Sequence, residues 1–275
     1  MRVFKFGVVF SIILYIFCIT IEQIYNKYEA GIKFQLIEDN NKTEKNNRFI
    51  IYGSSHCDFG LSAEILQKEL KTNTFNLCNY GIERKIYEKS FIKKLKSLTN
   101  EDDTIIYSFR INKEKIPVEE SGIIGLLLPQ FRTTTNDLIR VHFQGKKSFN
   151  SFGDRIYYPN FKKEFNYPEY SINYDLINNH IKNKIENILY DENFKSKLIV
   201  VITPMLIKNK NIFDVEKIFF DCKKNCENFL GIQSPLLIED KKYFLLPWHF
   251  NPSHGRELWT NTLVKFIKKI NIGQI

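Results

Sequence analysis

The chain predicts an α/β fold with a central parallel sheet. Apolar runs of strand length recur at 49–52, 74–78, 104–109 and 197–203, and the longer stretches between them carry apolar residues at helical spacing. Strands and helices alternating at such intervals form right-handed βαβ units, which build a parallel sheet. The 275 residues are 43% hydrophobic, with 24 Phe and 14 Tyr, enough for one sizeable core and with room for two small domains. Such a composition is globular rather than disordered.

The first element is apolar. Phe4 to Ile21 is predominantly apolar with Lys5 its one charge, and no charge falls between Phe6 and Ile21. About 16 to 20 residues at 1.5 Å each approach the hydrocarbon thickness of about 30 Å. Arg2 and Lys5 precede the run and Glu22 follows it, so the positive-inside rule leaves the N-terminus cytoplasmic and the rest extracytoplasmic. The favoured reading is an uncleaved single-pass anchor over residues 1–22. A cleavable signal peptide is the second reading, although its small-residue cleavage site is missing; a buried helix of a soluble domain is the third.

Residues 23–47 read as a polar linker, and an α/β domain follows over 48–275. Its first strand is Phe49 to Tyr52. Ala63 to Leu70 has helical spacing with Ser62 as N-cap. Thr74 to Cys78 is the second strand, Glu83 to Leu98 a long amphipathic helix, and Thr104 to Phe109 the third strand. Residues 113–170 lack a sustained period and read as an insertion, a lid or part of a binding surface. Tyr174 to Leu189 reads as helix. Lys197 to Thr203 is the clearest buried strand, stopped by Pro204. Val215 to Leu230 reads as helix ended by Gly231, Pro235 to Ile238 as a short last strand, and Glu257 to Ile270 as the closing helix.

The net charge of +9 arises from scattered lysines. Its plain reading is a solvated basic surface; attraction to an anionic lipid or polymer is the sharper one. No Arg-rich helix, zinc-finger spacing or RNA-binding signature is present, which argues against nucleic acid. Cys57, Cys78, Cys222 and Cys226 are available for disulfides if the domain is exported. Cys57 and Cys78 each sit at or just past a strand end and are candidate neighbours. Cys222 and Cys226, four apart on a helix, suit a disulfide poorly and lack partners for a metal site.

Chemistry is concentrated at the strand ends. Ligands of open parallel sheets bind beyond the carboxyl ends of the strands. Ser55, Asn79 with Gly81, Arg110 with Asn112, and Thr203 all follow strands, and His249 lies between the last strand and the last helix. Ser55 is the nucleophile candidate and His249 the base that a serine hydroxyl requires. Gly81 supplies a backbone N–H and Asn112 a side-chain amide for an oxyanion. The plain alternatives are that Ser54 and Ser55 cap a turn and that His249 is structural. His56 is read as a neighbouring polar contact without a chemical role.

Gly53-Ser54-Ser55-His56, Asn79-Tyr80-Gly81 and His249-Phe250-Asn251 with Gly255 together resemble the SGNH (GDSL-type) hydrolase superfamily. The likeness is nearest to its membrane-anchored branch, which includes the D-alanyl-lipoteichoic-acid and alginate O-acetylation proteins. It covers about Phe49 to Ile270, apart from the insertion. It implies a flavodoxin-like three-layer sandwich, with Ser55 as nucleophile, His249 as base, and Gly81 and Asn112 at the oxyanion. Arg110 is an alternative occupant of that third block and would bind a carboxylate or phosphate. The family's aspartate three residues before the histidine is replaced by Leu246, which leaves Asp240 or Glu239, a backbone carbonyl or a bare Ser–His dyad to serve the imidazole. The resemblance implies an acyl-ester hydrolase or O-acetyltransferase of a cell-envelope polysaccharide. It would be held in the inner or cytoplasmic membrane with its domain periplasmic, need no cofactor or metal, and work alone or with a membrane acyl-transfer partner. The rival reading is a non-catalytic assembly or carbohydrate-binding protein of the same fold.

Overall fold

The computed structural model describes residues 9–10, 12–13, 15–17, 31–41, 47–79, 85–109, 149–156, 179, 182–183, 195–206, 223, 227–246 and 249–271. The chain divides into two compact units, one of 1–32 with 112–148 and the other of 33–111 with 149–275. In the first unit the described residues 9–10, 12–13 and 15–17 are helical, and Val9, Phe10, Ile12, Ile13, Tyr15, Ile16 and Phe17 are all exposed. Among the described residues no helix is long and apolar enough to cross a membrane; most of the expected anchor lies outside them.

The second unit is α/β. Strands β1 (Phe49–Gly53), β2 (Thr74–Asn76), β3 (Thr104–Phe109), β4 (Lys197–Ile202) and β6 (Phe229–Gln233) form one sheet in the order β2-β1-β3-β4-β6, every neighbouring pair parallel. Two small ribbons flank it: β5 (Met205–Leu206) with β7 (Leu237–Ile238), and β8 (Phe244–Leu246) with β9 (His249–Phe250). The helices are α1 (Ser55–Gly60), α2 (Ala63–Leu70), α3 (Lys85–Leu98) and α4 (Gly255–Asn271).

Both faces of the sheet are covered, which is why its strands are apolar at consecutive positions. On one face Ile51, Ile106, Ile199 and Val201 join Leu66 of α2 and Trp259, Leu263, Val264 and Ile267 of α4 in a single core. On the other face Tyr52 stacks between Tyr107 and Phe91 of α3, and Phe91 in turn packs on Phe34. Residues 31–40, read from sequence as linker, are helical. Phe34, Ile37 and Lys33 are buried against the unit, three contacts too few for periodicity to reveal between polar neighbours.

β6 corrects the sequence reading. Residues 229–230 belong to a strand and not to the end of a helix, and 237–238 pair with β5 outside the main sheet. A five-residue segment of three apolar residues, Gly231 and Gln233 carries no period that separates strand from helix. The expected helix at 174–189, the expected 215–230 helix before residue 227, the insertion at 113–170 apart from 149–156, and Cys222 and Cys226 lie wholly or mostly outside the described residues.

Buried polar groups fasten the edges. Arg48 and Asp103, before β1 and β3, form a two-point ion pair with Nε–Oδ1 2.9 Å and Nη2–Oδ2 2.6 Å. Asp154 accepts from Ser62 Oγ (2.7 Å), Ala63 N (2.8 Å), Glu64 N (3.0 Å) and Asn76 Nδ2 (3.0 Å), so it caps α2 and ties 149–156 to β2. Ser62 also takes the expected N-cap role, its Oγ accepting from Ile65 N.

Cys57 and Cys78 form a disulfide, Cα–Cα 5.8 Å, joining α1 to the end of β2. A bridge across 21 residues stabilises by about 3 kcal/mol through the unfolded chain. Reducing it, or replacing both cysteines by serine, should lower unfolding stability by about 2–4 kcal/mol. Urea titration with and without reductant checks this, and identical midpoints would show that the bridge does not form.

Candidate functional site

The site lies past the carboxyl end of β1, where the sheet order reverses: β2 pairs on one side of β1 and β3 on the other. Such a switch point opens a crevice, because the connections leave to opposite faces. Gly53 ends β1 with φ +156°, and a Cβ there would come within 2.8 Å of both Cys57 Sγ and the Ser108 carbonyl. Only glycine lets the chain pass so close to β3 and the disulfide and then turn at once into α1. Ser55 is the first residue of that helix, at the strand-to-helix turn the sequence suggests.

His249 arrives from a different part of the chain. It opens β9, and the next residue, Phe250, is its anchor: Phe250 packs edge-on against Phe244 (4.9 Å) and Trp259 (6.1 Å). Side chains alternate along a strand, so burying Phe250 turns His249 the other way, toward α1. Asn251 closes the ribbon, its N–H donating to Tyr243 O at 2.7 Å and its carbonyl accepting from Gly255 N at 2.6 Å, where α4 begins.

The two meet. Ser55 Oγ lies 2.9 Å from His249 Nε2. With the hydroxyl donating, this is the contact a general base needs to take a serine proton. Ser55 is 7% exposed and His249 half-buried. A second contact, unused by the sequence reading, lies alongside. Ser54 Oγ is 2.9 Å from His56 Nδ1, and the His56 ring stacks on that of His249 with centroids 4.5 Å apart and planes 14° from parallel. Phe59 meets the His249 ring edge-on at 5.5 Å. The adjacency of His56 to Ser55 is plain in the sequence; its approach to His249, 193 positions away, is not.

Beneath α1 lies a buried charge cluster that the sequence also hides. Asp58 is fully buried and pairs with Lys33 Nζ at 2.8 Å and Arg155 Nε at 2.6 Å. Lys33 also donates to the Cys78 carbonyl, and the Phe149 ring lies under both cations, 4.3 Å from Lys33 Nζ and 4.9 Å from the Arg155 guanidinium. Burial pushes the Asp58 carboxyl up, but Arg155 and Lys33 outweigh it and hold the carboxyl below its ordinary value. Arg256 of α4 donates to the carbonyls of Asp58 (3.1 Å) and Phe59 (3.2 Å), which satisfies the end of α1.

Other candidates fall elsewhere. Gly81, Arg110 and Asn112 lie outside the described residues. Asp240 sits at the surface, where its Oδ1 accepts from Lys242 N and its Oδ2 pairs with Lys242 Nζ, both at 2.9 Å; hydrogen bonding to Lys242 lowers its pKa. Its carboxylate is thus engaged as the cap of a 3₁₀ turn, Lys241–Tyr243. Leu246 is the cross-strand partner of His249, so the residue three positions before the histidine is also its neighbour across the ribbon. Asn79 is buried, its N–H donating to the Gly53 carbonyl at 3.0 Å.

Fold and site define an α/β protein with a buried serine and an imidazole in hydrogen-bond contact at the switch point of a parallel sheet. No family model, no curated protein and no solved structure matches the chain.

Proposed function

We propose that the chain is a serine-dependent esterase or O-acyltransferase of the SGNH type, acting on an acylated cell-envelope glycan. The observation that carries this reading is the 2.9 Å contact between Ser55 Oγ and His249 Nε2 at the switch point. The strand order, counted along the main sheet as 2-1-3-4-5, is that of flavodoxin-like folds and accords with the resemblance of the Ser55 and His249 segments. In this reading His249 takes the Ser55 proton as Oγ attacks the ester carbonyl, then returns it to the departing alcohol. An acyl-serine remains, and His249 next deprotonates a water or a sugar hydroxyl that attacks it, which restores Ser55. The Ser55 N–H, first in α1 and therefore without an acceptor four residues back, is one oxyanion donor; Gly81 and Asn112 are the others that the resemblance offers.

An exported, membrane-held domain fits the same picture. The Cys57–Cys78 disulfide suits an oxidising compartment. The exposed apolar helical residues Val9, Phe10, Ile12, Ile13, Tyr15, Ile16 and Phe17 suit lipid better than water. Leu246, at the position of the family's acid, favours a second reading, a non-catalytic glycan-binding or assembly protein.

A fluorophosphonate probe separates the two. The expected result is one covalent adduct on the peptide that contains Ser55, absent from Ser55→Ala. A folded wild-type protein that takes no label, or a label that persists in Ser55→Ala, would overturn the enzyme reading.

A further inference from the structure

The base of the Ser–His pair is shaped by the helix that carries the nucleophile. Ser55, His56 and Phe59 all lie on α1, and all three contact the His249 ring. Ser55 meets it at Nε2, His56 covers one face and Phe59 closes on it edge-on. The near-parallel plates at 4.5 Å fall in the range of favourable ring stacking, and the edge contact at 5.5 Å is its perpendicular counterpart. An imidazole on a short two-residue strand has two side-chain torsions to fix before Nε2 points at a hydroxyl. The hydrogen bond to Ser55 constrains one direction only; a flat face and an edge constrain the plane.

The plate itself is held. His56 is 3% exposed, and its Nδ1 lies 2.9 Å from Ser54 Oγ, which fixes the rotation of its ring. Its helix is clamped by the disulfide at Cys57, by the ion pairs at Asp58 and by Arg256 on the carbonyls of residues 58 and 59. Every residue of α1 is buried. A plate mounted on so fixed a support transmits its position to whatever packs against it.

We propose that His56 is a positioning residue: its ring face, oriented by Ser54, sets the plane of the His249 imidazole so that Nε2 stays aligned with Ser55 Oγ. The functional part of this inference rests on the reading of Ser55 and His249 as a reactive pair. A filler of the core would need only volume, whereas a positioning plate needs a flat aromatic face. His56→Leu keeps apolar volume without the face; His56→Phe keeps the face without the bond to Ser54. Both are compared with wild type at matched folding, judged by thermal unfolding.

Two measurements decide. The ring protons of His249, assigned by NMR, should show the upfield shift of a stacked aromatic neighbour in wild type and His56→Phe and lose it in His56→Leu. Fluorophosphonate labelling of Ser55 should slow by roughly tenfold in His56→Leu and stay within about threefold in His56→Phe, since displacing a catalytic group by about 1 Å costs up to about a hundredfold. Equal labelling rates in all three proteins, or an unchanged His249 shift in His56→Leu, would overturn the proposal. A wild type that takes no label would sink the esterase reading alone, because the NMR signature tests the stack without any reaction.

Discussion

Ser55→Ala and His249→Ala should each lower turnover of a small acetyl ester by about 10⁴-fold or more, and the double variant should lose no more than the worse single one. On the esterase reading proposed above, neither group does chemistry without the other. The hydroxyl is a poor nucleophile until a base removes its proton, and the imidazole has no nucleophile to activate once Oγ is gone. The 2.9 Å contact makes them one unit, so the second deletion removes nothing further. Both side chains are held by structure outside the pair, Ser55 by its buried helix and His249 by the Phe250 anchor, so the variants should unfold at wild-type denaturant concentrations. Steady-state rates on the three variants check this. Losses that multiply in the double variant would mean two independent contributions and would contradict the dyad.

Asp58→Asn should cost about 3–5 kcal/mol of unfolding stability. Lys33 and Arg155 are both buried, and in wild type the Asp58 carboxylate pairs with both, at 2.8 and 2.6 Å. Asparagine keeps the shape but removes the negative charge between two cations in a region of low dielectric. Urea unfolding measures the loss. The pH dependence follows from the direction of the shift. Asp58 has a lower pKa folded than unfolded, so the unfolded chain takes up its proton first as pH falls. Its contribution is therefore complete above the unfolded value of about 3.9 and is lost as pH drops through the folded one. The stability gap between wild type and Asp58→Asn should narrow below about pH 4 and hold steady near neutrality. A gap independent of pH down to acid unfolding would show that the carboxylate is not the group that matters.

The parts of the fold written in local pattern were legible. Ala63–Leu70 with its Ser62 cap, Thr104–Phe109, and the cores of β1, β4 and α4 could be read because a strand or helix covered on a known face repeats its apolar residues at a fixed period. β6 was not, since five residues around Gly231 carry no period. The helical stretch 31–40 was not either: its buried members include a lysine, whose place in a core makes sense only once Asp58 and the Cys78 carbonyl stand opposite it. For the site, the serine at a strand end and the histidine near the last helix could be picked out by residue type and position.

The sequence by itself determined the alternation of strands and helices, the turn that carries Ser55, the pairing candidates Cys57 and Cys78, and a candidate serine and histidine at the ends of strands. Tertiary structure alone decided that Ser55 and His249 touch, that His56 lies flat on the His249 ring, that Asp240 belongs to a surface turn, and that Asp58 pairs with two buried cations. The physical reason is range. Periodicity and capping act over a few neighbouring residues, whereas a 2.9 Å contact across 194 positions depends on the register of the sheet and on which face of β9 the core claims for Phe250.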